Sequence, residues 1–194
     1  AEDIDEVLMG CVLPAGMGQA PARQASIGAG IPYATGCTTV NKMCGSGMKT
    51  TMLAHDSLLA GTNEVIVAGG LESMSNAPYI LQKARSGQRL GHGQMMDHMF
   101  LDGLEDAFDK GTLMGVFAER TAQKYGFSRE AQDEFAIRSL TRAKTAIEDG
   151  SFKSEVTPVT FKNRKGETVV EQDEQPLTAD LEKIPKLRPA FEKD

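Results

Sequence analysis

The 194-residue sequence predicts an α/β fold. Strand-like and helix-like runs alternate through its front third. Val65 to Leu71 is near-continuously apolar, the pattern of a strand covered on both faces by helices. Pro14, Gly30, Pro32 and Gly61 punctuate the runs.

Glu6 to Leu13 mixes Val, Leu, Met and Cys and runs into Pro14, which predicts a buried strand followed by a turn at Gly16 and Gly18. Ala20 to Ala29 is alanine-rich and stops at Gly30, with Pro32 beyond, as a helix end does. Thr38, Thr39 and Val40 favour a short strand within Thr35 to Met43. Met48 to Ala60 carries apolar residues at partly helical spacing, and Gly61 suits the position just past a helix. Asn63 to Gly70 predicts a fully buried strand.

The composition changes after Ser73. Residues 75–115 are rich in Gly, Met, Asp and His and weakly periodic, and predict a folded excursion with short helices rather than a structureless loop. Thr112 to Tyr125 and Ser128 to Asp149 read as helices, the second with Ser128 as N-cap and Gly150 after its end. Its predicted buried face is Phe135, Ile137, Leu140, Ala143 and Ile147. Glu155 to Phe161 and Thr168 to Glu171 are strand-like and joined by Asn163-Arg164-Lys165-Gly166, a hairpin signal. The remainder is charged and interrupted by prolines.

Composition excludes several classes of function. With 21 basic and 27 acidic residues the net charge is −6, which disfavours nucleic acid as a partner. No apolar run approaches the roughly 18 residues of a membrane-spanning helix, so no membrane role is expected. Three cysteines without a C-x-x-C pair, and an N-terminus without the basic and apolar parts of a signal peptide, point to reduced thiols in the cytoplasm. The histidines, His55, His92 and His98, show no zinc-site spacing, so no metal is expected; His92 and His98 read as exposed loop residues.

The candidate for chemistry is Cys44. Val40-Asn41-Lys42-Met43-Cys44-Gly45-Ser46-Gly47-Met48 places it between a strand and the first turn of a helix, where unpaired N–H groups and the helix dipole favour a thiolate. Gly45 and Gly47 clear side chains from around the sulfur, so that a bulky electrophile can approach. Cys11 reads as a core residue. Cys37, seven positions before Cys44, is close enough in sequence to approach it. A phosphate-loop reading fails because Met48, not Gly, precedes Lys49; Gly28-Ala29-Gly30 is too short for a dinucleotide fingerprint, and Ser46 stands outside a G-x-S-x-G elbow.

The Cys44 segment, followed by Val67-Ala68-Gly69-Gly70-Leu71-Glu72-Ser73-Met74-Ser75, resembles the acyl-enzyme signature of the thiolase family. Further blocks match in order: Val12-Leu13-Pro14-Ala15-Gly16, Asp102-Gly103-Leu104, Met114-Gly115, and Leu187-Arg188-Pro189-Ala190-Phe191. The resemblance implies a layered α/β/α sandwich whose N-terminal half is incomplete here (residues 1–74), with an inserted α+β loop domain (residues 75–194). It implies an acyl-CoA acyltransferase that condenses two acetyl-CoA through a thioester on Cys44, or runs the reverse thiolysis. The alternatives are a long-chain 3-ketoacyl-CoA thiolase and a non-catalytic CoA-binding fragment. Coenzyme A enters as substrate with no covalently bound cofactor; Leu104 would line the pantetheine channel, Met114 would lie near the acyl group, and the complete enzyme would form a homodimer or homotetramer. Leu113 and the Pro176-Leu177 pair depart from the family pattern at CoA contacts. The family's Asn-Glu-Ala and Gly-His-Pro motifs and its second cysteine do not occur in the sequence, which is therefore expected to be part of a longer chain.

Overall fold

The computed structural model describes residues 1–164 and 166–192. The chain divides into two units, one ending at Met114 and one starting at Gly115.

The first unit is built on a parallel sheet of β1 (Glu6–Gly10), β2 (Gly36–Val40) and β3 (Ile66–Gly70), in the order β2-β1-β3. Val7 pairs with Cys37 on one side and Val67 on the other, and Gly10 with Val40 and Gly70. Two helices make the crossovers, α1 (Pro21–Gly28), whose Pro21 suits the first helical turn, and α2 (Ser46–Leu59). Successive strand residues face opposite ways, yet Val7 and Leu8 are both buried, so β1 is covered on both faces. Cys11, Leu13, Ala22 and Ala54 complete this core.

The order of elements is the predicted one, with two corrections. β3 is not the fully buried strand expected: it lies at the sheet edge, and Val65 and Val67 stay exposed. The predicted strand Glu6 to Leu13 ends at Gly10, and the following segment turns away to be held by Glu72.

The excursion after β3 is folded, as expected, but carries a sheet of its own. β4 (Tyr79–Leu81) pairs antiparallel with β5 (Met95–Asp97), and a wide π-helical turn, Phe100–Leu104, follows. His98 is a further correction, buried rather than exposed, with Nδ1 2.6 Å from Asp102 Oδ2. It sits one turn before Asp102, so the carboxylate meets the ring where the main chain turns inward. His92 is exposed.

The second unit contains helices and a hairpin. Most of α3 (Met114–Tyr125) belongs to it, followed by α4 (Arg129–Glu148), β6 (Val159–Asn163), β7 (Gly166–Val170) and α5 (Glu174–Thr178). Ser128 Oγ accepts from the Ala131 amide 3.2 Å away and caps α4, and Gly150, at φ 74°, follows its end. Arg129 donates to the carbonyls of Ile184 and Leu187 and tethers the C-terminal segment to α4. Phe135 is corrected from core to surface: it is 65% exposed, and the Arg138 guanidinium lies over its ring, 5.3 Å from the centre, in a cation–π contact. Ile137, Leu140, Ala143 and Ile147, expected to be buried, are half-buried. The hairpin is present, with Asn163 paired to Gly166; its strand begins at Val159 because Pro158 offers no amide to a ladder. Lys165 of the predicted turn lies outside the described residues.

Candidate active site

The parallel strands all end at one rim of the first unit, where open α/β sheets bind ligands. Between β2 and α2 the chain makes a tight elbow. Asn41 Oδ1 accepts from the Met43 amide at 3.0 Å, the Gly45 amide donates to the Lys42 carbonyl at 3.2 Å, and Met43 takes φ 50°, a left-handed conformation that costs a side-chain-bearing residue free energy. Cys44 follows at once, is exposed, and precedes the N-cap Gly45 of α2. The first-turn amides of the helix open toward this end, as helix geometry requires.

Glycine decides how closely the elbow sits on the sheet. A Cβ on Gly10 would lie 2.6 Å from the Ser46 carbonyl carbon and 2.7 Å from the Gly47 amide nitrogen, so no side chain fits where β1 ends under α2. One on Gly70 would lie 3.4 Å from the Gly10 carbonyl oxygen and 3.5 Å from Gly47 Cα. Thr50, fully buried, shares its hydroxyl between the Gly47 carbonyl at 2.7 Å and the Gly69 carbonyl at 2.8 Å, and so fastens the first turn of α2 to β3.

These contacts leave a cavity of about 270 Å³ in which Cys44, Met43, Ser46, Gly47 and Glu72 line the wall. The Glu72 carboxylate accepts from the amides of Val12 at 2.8 Å and Leu13 at 2.9 Å, and the Cys11 thiol approaches it at 3.6 Å. Burial pushes the Cys11 thiol above its ordinary range, and the adjacent Glu72 charge pushes it the same way. Cys11 is therefore a protonated core thiol, as its sequence context suggested.

Of the candidate site residues Cys44, Leu104 and Met114, only Cys44 lines this cavity. Leu104 closes the π-helical turn, whose Gly103 packs against Leu13, and Met114 opens α3 and is 42% exposed. Cys37 is the second residue of β2, and at about 3.3 Å per residue it lies roughly 10 Å short of the strand end from which the elbow departs; all three cysteines are free thiols. Among the described residues no group of three or more His, Cys, Asp or Glu side chains is placed to hold a metal ion, and no helix is long and apolar enough to cross a membrane. Sequence reasoning did not single out Glu72 and Thr50. Their signal was a polar residue two positions after the glycine pair that ends β3, or packed opposite it.

A cysteine on a strand–turn–helix elbow, at the carboxyl end of a parallel sheet, defines an α/β protein with an exposed thiol on an open cavity. The chain belongs to the thiolase family: the model of the thiolase N-terminal domain matches residues 1–194. It is 50% identical over 196 residues to an acetyl-CoA acetyltransferase of Pseudomonas aeruginosa, covering 100% of this chain and 50% of that protein. It is 48% identical over 194 residues to the mitochondrial acetyl-CoA acetyltransferase of Rattus norvegicus, covering 100% of this chain and 45% of that one. Among solved structures, the Acat5 thiolase from Ascaris suum in complex with coenzyme A superposes with a TM-score of 0.87 at 39% identity, over 100% of this chain and 48% of that chain. The chain spans about half the length of the curated relatives it matches.

Proposed function

We propose that this chain is the nucleophile-bearing part of an acetyl-CoA acetyltransferase, and that Cys44 carries the acyl group. The observation that supports this most is the exposed Cys44 thiol, set just before α2 on a cavity that Gly10, Gly47 and Gly70 keep open. In the reaction, the Cys44 sulfur attacks the thioester carbonyl of an acyl-CoA, the acyl–sulfur bond to coenzyme A breaks, and coenzyme A leaves as the thiol. A second acetyl-CoA, deprotonated at its methyl group, attacks the new thioester. The Cys44 sulfur leaves and acetoacetyl-CoA is released. Thiolysis is the same sequence reversed.

Residues 75–194 act in this reading as the loop domain that holds coenzyme A, with Leu104 beside the pantetheine arm and Met114 beside the acyl group. The complete protein is a homodimer or homotetramer working in the cytoplasm, a reducing setting that suits its free thiols. A nucleophile parted from its base and oxyanion partners keeps little turnover, so steady condensation needs the longer chain.

The test is acylation. The chain is incubated with acetyl-CoA and its intact mass measured: an acetyl adduct on Cys44, lost in Cys44→Ser, is expected. A chain that binds coenzyme A but takes no label is a binding module instead, and sustained condensation by these 194 residues alone contradicts the need for further catalytic groups.

A further inference from the structure

We infer that Ser46 is the positioning residue of the Cys44 elbow, its buried hydroxyl tying the Asn41–Lys42 peptide to the Met43–Cys44 peptide across the left-handed turn that presents the thiol. This deepens the reading of Cys44 as the acylated residue and rests on it for its functional meaning. Ser46 is 4% exposed. Its Oγ accepts from the Lys42 amide at 2.9 Å and donates to the Met43 carbonyl, which also accepts from the Ser46 amide at 2.9 Å. One side chain therefore ties the Asn41–Lys42 peptide to the Met43–Cys44 peptide, across the left-handed turn at Met43.

The left-handed conformation is unfavourable for methionine, which has a Cβ and no side-chain polar group to bond the main chain. It persists where surrounding bonds over-determine it. Without the hydroxyl, the Lys42 amide loses its acceptor and the Met43 carbonyl keeps a single donor. The turn then relaxes toward negative φ, and the direction in which the next residue, Cys44, leaves the elbow changes. Ser46 touches the same cavity as Cys44, but both its bonds are spent on main chain, so it acts through the turn rather than on the reacting atoms.

Three chains test this: wild type, S46A and S46A/M43G, since glycine adopts positive φ without a clamp. Amide hydrogen exchange is followed with iodoacetamide alkylation, and the Cys44 rate is divided by the Cys37 rate of the same molecule. S46A is expected to speed exchange of the Lys42 amide at least about tenfold, leave the β1 amides unchanged, and shift the Cys44-to-Cys37 ratio at least about threefold, the scale of one lost hydrogen bond. S46A/M43G is expected to bring the ratio back while the Lys42 amide stays fast. If S46A does not fold, the double variant is expected to fold, which is the same rescue. A merely structural serine gives no recovery with glycine at position 43. A ratio unmoved in S46A, a loss not restored by glycine, or a double variant as unfolded as the single one overturns the inference. None of these readouts requires acyl transfer, so a chain that takes no label from acetyl-CoA refutes the acyl-enzyme reading separately.

Discussion

Thr50 Oγ1 lies 2.8 Å from the main-chain carbonyl oxygen of Gly69, joining the first turn of the helix behind Cys44 to the edge strand beside it. No other side chain of α2 is as completely buried. Thr50→Val keeps the shape and removes the donor, leaving two carbonyls without it. We expect a loss of about 1–3 kcal/mol, read from urea denaturation, with Thr50→Ser close to wild type. A valine variant as stable as the parent refutes the staple.

The close approach of β1 to α2 makes a second, steric prediction. In Gly10→Ala the new methyl meets backbone that cannot swing aside, and an overpacking cost of about 1–3 kcal/mol or more is expected. Gly28, the last residue of α1, has open space where a Cβ would go, and its φ is not positive. Gly28→Ala is expected to stabilise by about 0.4–1 kcal/mol through the unfolded chain. Melting temperatures of the two variants should move in opposite directions.

Thiol reactivity should divide along burial. At neutral pH, iodoacetamide is expected to alkylate Cys44 and spare Cys11, whose thiol is held protonated by burial and by Glu72. Glu72→Gln removes the charge, so the Cys11 thiol drops toward its ordinary range. It also replaces one acceptor of the Val12 and Leu13 amides with an NH₂ group. Peptide mapping should then find measurable Cys11 alkylation at mildly alkaline pH; a Cys11 that stays inert in this variant removes Glu72 from the account.

Asp5 contributes to the acid limb of stability, as do Glu105, Glu130, Asp149 and Asp180, whose carboxyls are also held low. Asp5 Oδ2 accepts from the amides of Val65 at 2.9 Å and Glu64 at 2.7 Å, and these bonds hold its carboxyl below the ordinary aspartate range. A carboxylate with a depressed folded pKa contributes stability above its unfolded pKa and loses it as pH falls through the folded one. Urea midpoints should therefore fall as the pH drops below about 4. Asp5→Asn should be weaker at pH 7 and flatter through that window. A variant whose midpoint falls as steeply as the parent's places the acid sensitivity elsewhere.

The exposed side of α2 predicts association. Met48, Met52 and Leu59 recur at helical spacing with 70%, 52% and 76% of their surface exposed, an apolar stripe opposite the face that packs on the sheet. The isolated chain is expected to self-associate in size-exclusion chromatography, and Met48→Lys with Met52→Lys to reduce it. A wild-type chain that elutes as a clean monomer counts against this.

The sequence announced the succession of strands and helices because local rules govern it: Gly30, Gly61 and Gly150 end helices by main-chain geometry, and Ser128 begins one with its own hydroxyl. The Cys44 elbow was legible for the same reason, a cysteine between β-branched residues and a glycine-spaced helix start. Burial was less so. Val67 and Phe135 read as core and stand exposed, because what covers a face is decided by elements far away in sequence. His98 erred in the other direction, drawn inward with an aspartate one turn later. Glu72 and Thr50 act on main-chain groups, and bonds to the backbone leave no periodic mark on a sequence.

The bare main-chain contact of Gly10 with the start of α2 fixes the height at which the thiol stands above the sheet. That height is set by atoms every residue shares, so core side chains elsewhere can be exchanged during divergence without moving the sulfur. A single methyl at position 10 would displace it. The Cys44 thiol is thus insulated from drift in the core and exposed to change at a few positions that have no side chain at all.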